Sequence, residues 1–258
     1  MDISLRDRFT QQWRKYFPSA PLSICFYFTD DTDRHTPLPP PEGHLCLIGQ
    51  LARVRKGESL AMNADSLGCF GGKKYLGFPA ETMPNFEFFL SCGIEGKLEG
   101  ERYKKTPQIV LETFTHQPQF DAPAELIVFK RWDKLDESDQ PGAVIFFATP
   151  DVLSGLFTLA GFDETDPNAV ICPFAAGCAT IVQWPWMEGK RQHPRCVIGM
   201  FDVSSRPFVG GDTVSFAAPM EKFTRMVNNM EESFLITASW RKVWRRIASD
   251  AGLEPADD

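Results

Sequence analysis

No run of apolar residues in this chain reaches the roughly 18 that a membrane-crossing helix needs. The best stretch, AVIFFATPDVLSGLFTLAGF, is broken by Pro150 and Asp151. The opening segment, MDISLRDRFTQQWRKYF, holds no apolar core of signal-peptide length. Together these absences predict a cytoplasmic protein with no membrane partner. Cysteine pairing is also missing. The seven cysteines contain no Cys-x-x-Cys motif, and an odd number spread over 258 residues is not a disulfide framework. A zinc ribbon and a thioredoxin-like site are disfavoured for the same reason. Positive charge is in short supply: 27 Lys and Arg stand against 34 Asp and Glu, a formal net charge of -7. Such a chain is poorly suited to non-specific binding of nucleic acid. The four histidines occupy no recognisable motif, so a Cys-His hydrolase has no support.

Phosphate-binding signatures are absent as well. GCFGGKKYLGF (67–78 without its leading Leu) has the wrong glycine spacing for a Walker loop, and no Ser or Thr follows its lysines. No G-x-G-x-x-G occurs. A structural glycine turn is the favoured reading at Gly71-Gly72. Anion binding by their amides with Lys73 or Lys74 is the minority reading.

What is present is ample core material, with 43% hydrophobic residues. Periodicity predicts an amphipathic helix over 4–17, capped by Ser4 or Asp2, and a strand over 22–28. A proline-rich loop follows, then a helix over 46–55, an extended piece, and helices near 84–93 and 106–116. ELIVFKRW (125–132) and AVIFFAT (143–149) read as buried strands. Pro150-Asp151 starts a helix, and further strands fall at 169–172, 195–201 and 213–218. Met220, Phe223, Met226, Val227, Met230 and Phe234 repeat at helical spacing, and Ser239 is positioned to cap a last helix. The methionine-aromatic stripe is read as core, with a homodimer face as the other use of such a surface. The expected fold is therefore α/β or α+β: a mixed, mostly buried sheet ringed by helices, in one integrated domain over 1–258. A frayed tail is expected at 251–258. A weak echo pairs helix 46–55 and Gly68-Cys69 with helix 151–161 and Gly177-Cys178. It suggests pseudo-repeat halves of about 20–120 and 121–250 whose thiols face a shared cleft.

Chemistry concentrates in two places. In CPFAAGCATIVQWPWMEG (172–189), Gly177 allows a tight turn, and Cys178 stands where a helix can begin. The positive end of a helix dipole favours thiolate, which would make Cys178 a nucleophile or soft-metal ligand; plain packing of a small hydrophobe is the competing reading. A metal or iron–sulfur site would need Cys46, Cys69, Cys172 and Cys178 to converge, at spacings that match no cluster signature. In RCVIGMFDVSSRPF (195–208), a strand delivers Asp202, Ser204, Ser205 and Arg206 at its end, where ligands commonly bind in such sheets. Arg206 suits a bidentate grip on an anion with Asp202 orienting it, or a turn-stabilising Asp-Arg pair.

PFAAGCATIV (173–182), Glu188, RCVIGMFDVSSRP (195–207) and FTRMVNNMEESFL (223–235) resemble the Domain of Unknown Function 169 family of prokaryotic proteins. Cys69 followed by Leu76-Gly77-Phe78 fits the same pattern. The resemblance covers nearly the whole chain and implies a single unit. It carries no established activity and directs attention to Cys178, Asp202 and Arg206. The leading expectation is a protein that binds a small anionic molecule or an unspecified cofactor in a cleft between the Gly-Cys turns and the 202–206 strand end. Cys69, Gly177 and Cys178 would line that cleft, Arg206 and Arg195 would hold the anion, and Trp184 or Trp186 would supply an apolar wall. The alternatives are a thiol-dependent enzyme using Cys178 and an iron–sulfur or metal protein.

Overall fold

Alternate residues of the strands decide the architecture. Ile24, Phe26, Ile127, Phe129, Ala143, Ile145 and Ala217 join one core cluster, while Cys25, Val144, Phe146, Phe216 and Ala218 join another. Such two-faced burial is what uninterrupted apolar strands predict, and it requires helices on both sides of one sheet. The computed structural model describes residues 1–253. Its elements run α1 (Ile3–Tyr16), β1 (Ile24–Thr29), α2 (Leu47–Arg55), β2 (Leu60–Met62), α3 (Phe70–Tyr75), α4 (Phe86–Phe89), α5 (Pro107–Thr115), β3 (Leu126–Arg131) and β4 (Ala143–Ala148). They continue α6 (Pro150–Ala160), β5 (Val170–Ile171), a π-helical segment (Ala179–Gln183), α7 (Trp184–Glu188), β6 (Cys196–Gly199), β7 (Val214–Pro219), α8 (Met220–Asn229) and α9 (Ala238–Asp250).

The seven strands form one mixed sheet in the order β2-β3-β1-β4-β7-β6-β5. Only β5 and β6 pair in parallel. The class is α+β, as a mixed buried sheet with surrounding helices predicts. At the centre, β1 and β4 pair antiparallel, with Ile24 opposite Ile145 and Phe26 opposite Ala143. One face is covered by α1, α6, α8 and α9, whose Phe9, Trp13, Leu156, Phe223, Met226 and Trp240 share a core with Phe146 and Phe216. The ring of Phe9 meets those of Trp132 and Phe223 edge-on at 5.4 and 4.9 Å. Such aromatic pairs add about 0.5–1.5 kcal/mol each beyond area burial. The methionine-aromatic stripe is therefore spent inside: Phe223, Met226, Val227 and Met230 are all buried.

The other face is covered by α2, α3, the π segment and α7. Leu47, Ile48, Leu51 and Val54 of α2 pack there with Leu67, Tyr75, Cys178, Ile181 and Val182. Outward from the centre of the sheet, the strands run β1-β3-β2 on one side and β4-β7-β6 on the other. The two helices of the expected echo lie on different faces, α2 on one and α6 on the other.

Several local expectations are corrected. Of the two cap candidates for α1, Asp2 is the one used: its carboxylate accepts from the amides of Ser4 and Leu5. Thr237, not Ser239, caps α9, accepting from the Trp240 amide at 3.4 Å. Helix α8 ends at Asn229, and Phe234 falls in a separate short 3-10 turn. The Gly71-Gly72 stretch is the first turn of α3 rather than an open glycine loop. Of the tail predicted to fray, residues 254–258 lie outside the described residues.

Candidate functional site

The site begins with glycine geometry. A Cβ on Gly177 would lie 2.8 Å from the sulfur of Met200 and 3.0 Å from Cβ of Ser205. Only a residue without a side chain lets the 175–178 turn approach the end of β6 this closely. A Cβ on Gly199 would lie 2.0 Å from Thr180 Oγ1. The π segment is therefore seated directly on the end of that strand. Thr180 Oγ1 in turn donates to the carbonyl of Gly177 at 2.9 Å. Met200 is fully buried and holds φ at +67°, a backbone region that L side chains rarely occupy. Irregular helix and backbone strain cluster at functional sites because surrounding packing must hold them in place.

Around this junction lies a pocket of about 220 Å³ lined by Cys172, Pro173, Phe174, Ala175, Thr180, Gly199, Phe201 and Asp202. Phe174 and Phe201 are 63% and 58% exposed, unusual for phenylalanines that could have joined either core. Asp202 is the only charged residue among those lining the pocket. Its two oxygens accept from the hydroxyls of Ser205 and Ser204 at 2.6 and 2.8 Å. A carboxylate offers about four lone-pair positions, so capacity remains for a ligand. Lys104 places its ammonium 4.0 Å from the centroid of the Phe174 ring. Tyr103 lies near the same loop: burial raises its phenol, and the charges of Glu101 and Asp202 raise it further.

The thiols stand behind Asp202. Cys46 and Cys69 occupy the N-cap positions of α2 and α3, and Cys69 Sγ accepts from the Gly72 amide at 3.1 Å. Cys178 immediately precedes the π segment. Burial pushes the Cys178 thiol well above its ordinary value, and the neighbouring Cys69, Cys46 and Asp202 push the same way. Cys46 is raised by burial too, with Cys69 and Asp202 adding to it. A helix begins at this turn, and the direction of the shift favours the packing reading of Cys178 over the thiolate reading. At 7% exposure, the cost of placing charge in hydrocarbon exceeds what a helix end returns. The four-cysteine ligand set does not assemble either. Among the described residues, no three His, Cys, Asp or Glu side chains are placed to hold one metal ion. Cys172 is exposed on the pocket wall while Cys178 is buried in the core.

The arginines read as anion grips are engaged elsewhere. Arg206 does not pair with Asp202. Its Nη1 donates to the carbonyls of Met200 and Thr213, and its Nη2 to those of Gly210 and Gly211. It staples the 200–213 loop that carries Asp202. Arg195 forms a forked pair with Glu188, Nε to Oε2 at 2.9 Å and Nη2 to Oε1 at 2.6 Å. That pair ties the end of α7 to the start of β6. Trp184 packs against the core beside Cys178 and does not line the pocket, and its indole N–H is buried without a partner.

Thus Cys69, Gly177, Cys178 and Asp202 fall in one neighbourhood, while Arg195, Arg206 and Trp184 serve the scaffold around it. Residues that the sequence reading passed over are Phe174, Phe201, Thr180 and the distant Tyr103 and Lys104. A usable signal existed for Phe174, which stands among Cys172, Pro173, Ala175 and Ala176; Phe201 closes the apolar run VIGM and reads as strand.

Fold and site define an α+β protein with a seven-stranded mixed sheet and a small aromatic-walled pocket beyond one strand end. Within that class the chain belongs to the DUF169 family, described as "Uncharacterised ArCR", whose model matches residues 18–229. The match spans both sheet halves and the whole pocket junction. No curated protein and no solved structure matches the chain.

Proposed function

We propose that the protein binds a small molecule in the pocket between the 172–175 segment and the end of β6. The observation that carries this reading is the pair of exposed phenylalanines flanking one carboxylate, over a floor of Thr180 and Gly199. Ligand sites combine apolar walls with a few placed polar groups in this way. A cavity of about 150 Å³ accepts a benzene-sized ring, so about 220 Å³ suits a ring with a short substituent. The buried thiols act as packing that supports the Asp202 loop rather than as nucleophiles. The anion grip expected from Arg195 and Arg206 is not carried into this reading, because both guanidinium groups already have partners.

Thermal unfolding of the full chain against a metabolite library tests the reading. A binding compound raises Tm in proportion to the logarithm of its concentration over Kd. The rise should vanish in the double variant Phe174→Ala/Phe201→Ala, whose side chains are too exposed to be needed for folding. A library with no stabilising compound, or a rise unchanged in the double variant, refutes it.

A further inference from the structure

We propose that the pocket selects an organic ammonium: a small molecule with an apolar, ring-sized body and a protonated amine directed at Asp202. This rests on the pocket reading above and adds the ligand's charge. Three observations converge on it. First, Asp202 is the only charged side chain in the lining, and no arginine reaches in. A ligand carboxylate placed there would face like charge, whereas an ammonium would gain a charge-assisted hydrogen bond. Second, the wall ring of Phe174 already receives an ammonium, that of Lys104, 4.0 Å from its centroid. Ring faces attract cations, most strongly where water is excluded. Lys104 shows that this ring takes an ammonium. Third, the Asp202 charge reaches the groups around it: the phenols of Tyr75 and Tyr103 and the thiols of Cys46 and Cys178 are all raised, chiefly by burial, with Asp202 adding to it.

The aromatic walls set the body of the ligand. Phe174 and Phe201 leave more than half their surface uncovered on opposite segments, one before the π segment and one after β6. A flat apolar body buried between them removes both from water, and the carboxylate beside Phe201 fixes which end enters first. Ser204 and Ser205 hold that carboxylate in place, and Arg206 fixes the loop beneath it. The geometry is therefore set before the ligand arrives.

Three probes of one shape separate the possibilities: benzylammonium, benzyl alcohol and benzoate, each titrated against the full chain by ligand-observed NMR near neutral pH. We expect benzylammonium to bind about tenfold more tightly than benzyl alcohol, the increment of one charge-assisted hydrogen bond, and benzoate to bind more weakly than either. Asp202→Asn should reduce benzylammonium to the level of the alcohol. Phe174→Leu, which keeps the apolar wall and the carboxylate but loses the ring face, should also narrow the preference. Lys104→Gln should tighten benzylammonium, because it removes the tethered competitor. Benzoate binding best, Lys104→Gln weakening the ammonium, or an order unchanged in Asp202→Asn would overturn the ammonium assignment. The pocket reading survives those outcomes if binding still disappears in Phe174→Ala/Phe201→Ala. Failure of all three probes to bind the wild-type chain and every variant removes both.

Discussion

Lys130 donates to both oxygens of Asp139, at 3.0 and 2.8 Å, where the Asp139 side chain has no exposed surface. Tyr27 donates to the same carboxylate and His35 contacts the Tyr27 hydroxyl, so four buried polar side chains form one connected network beside β1 and β3. Burial alone would raise the Asp139 carboxyl, but its hydrogen bonds from Lys130 and Tyr27 outweigh that and hold it below its usual range.

Breaking this network from one side leaves each charge one weaker partner, because Arg34 also reaches Asp139 at 3.2 Å and Lys130 also reaches Asp136 at 3.4 Å. Lys130→Met should therefore cost about 1–3 kcal/mol in urea unfolding, less than a fully stranded buried charge would, and Asp139→Asn a similar amount. The double variant should lose clearly less than the sum of the two. Additive losses would show that the pair is not coupled. The pH dependence has a fixed sign. A carboxyl lowered in the folded state contributes full stability above the unfolded value of about 3.9 and loses it as pH falls toward the lower folded value. Asp139→Asn should flatten that acid limb of the stability curve.

Thiol reactivity should sort by burial. Iodoacetamide is expected to label Cys92 and Cys172, both exposed, within the native state, whereas Cys25, Cys178 and Cys196 should react only as fast as the chain opens. Mass mapping of a labelling time course measures this. Burial raises the Cys196 thiol to about 12, so raising the pH to 9 should not by itself expose its reactivity. Early modification of Cys178 would contradict its sealed position.

Gly199 has a sharper requirement than its sequence neighbours show. Gly199→Ala would drive a Cβ against Thr180, and overpacking of this kind costs about 1–3 kcal/mol or more. Adding Thr180→Gly should recover part of the loss by freeing that space. Chemical denaturation of the single and double variants reads the difference; no recovery would mean that the strain is not between these two residues.

Arg206 should act on the order of one loop rather than on charge complementarity. Arg206→Gln is expected to speed amide exchange across 200–213 while leaving the α8 and α9 amides protected, because its four acceptors are all carbonyls of that loop and the adjoining start of β7. Uniformly faster exchange throughout the chain would instead mark Arg206 as a global stability residue.

Much of the scaffold was legible because its cause is local. The stripe Leu5, Phe9, Trp13 and Tyr16 could only be one buried helix face, and ELIVFKRW and AVIFFAT could only be strands covered on both sides. β2 was less visible, since Leu60–Met62 is three residues long and gains its place only by pairing with β3. The site was partly legible. Gly177, Cys178, Cys69 and Asp202 were marked by residue type, and the fold gathers them. The roles of Arg195 and Arg206 were not, because an arginine's partner is set by what the fold brings near it. Glu188 lies seven residues from Arg195, and no periodic signal links a helix end to the next strand start. Lys104 and Phe174 are 70 positions apart, a contact that no local pattern encodes.

The strip of chain that brings Tyr103 and Lys104 to the pocket is anchored differently from its floor. Between Pro79 and Ala122, only Ser91, Gly93 and Val110 are buried, whereas Thr180 lies in the buried π segment, Gly199 ends β6 and Met200 follows it inside the core. Roof and foundation thus answer to separate constraints. Substitutions in the roof can therefore reshape the pocket's surroundings while the foundation stays put, and the proposed ligand selectivity is open to change there without any cost to the sheet.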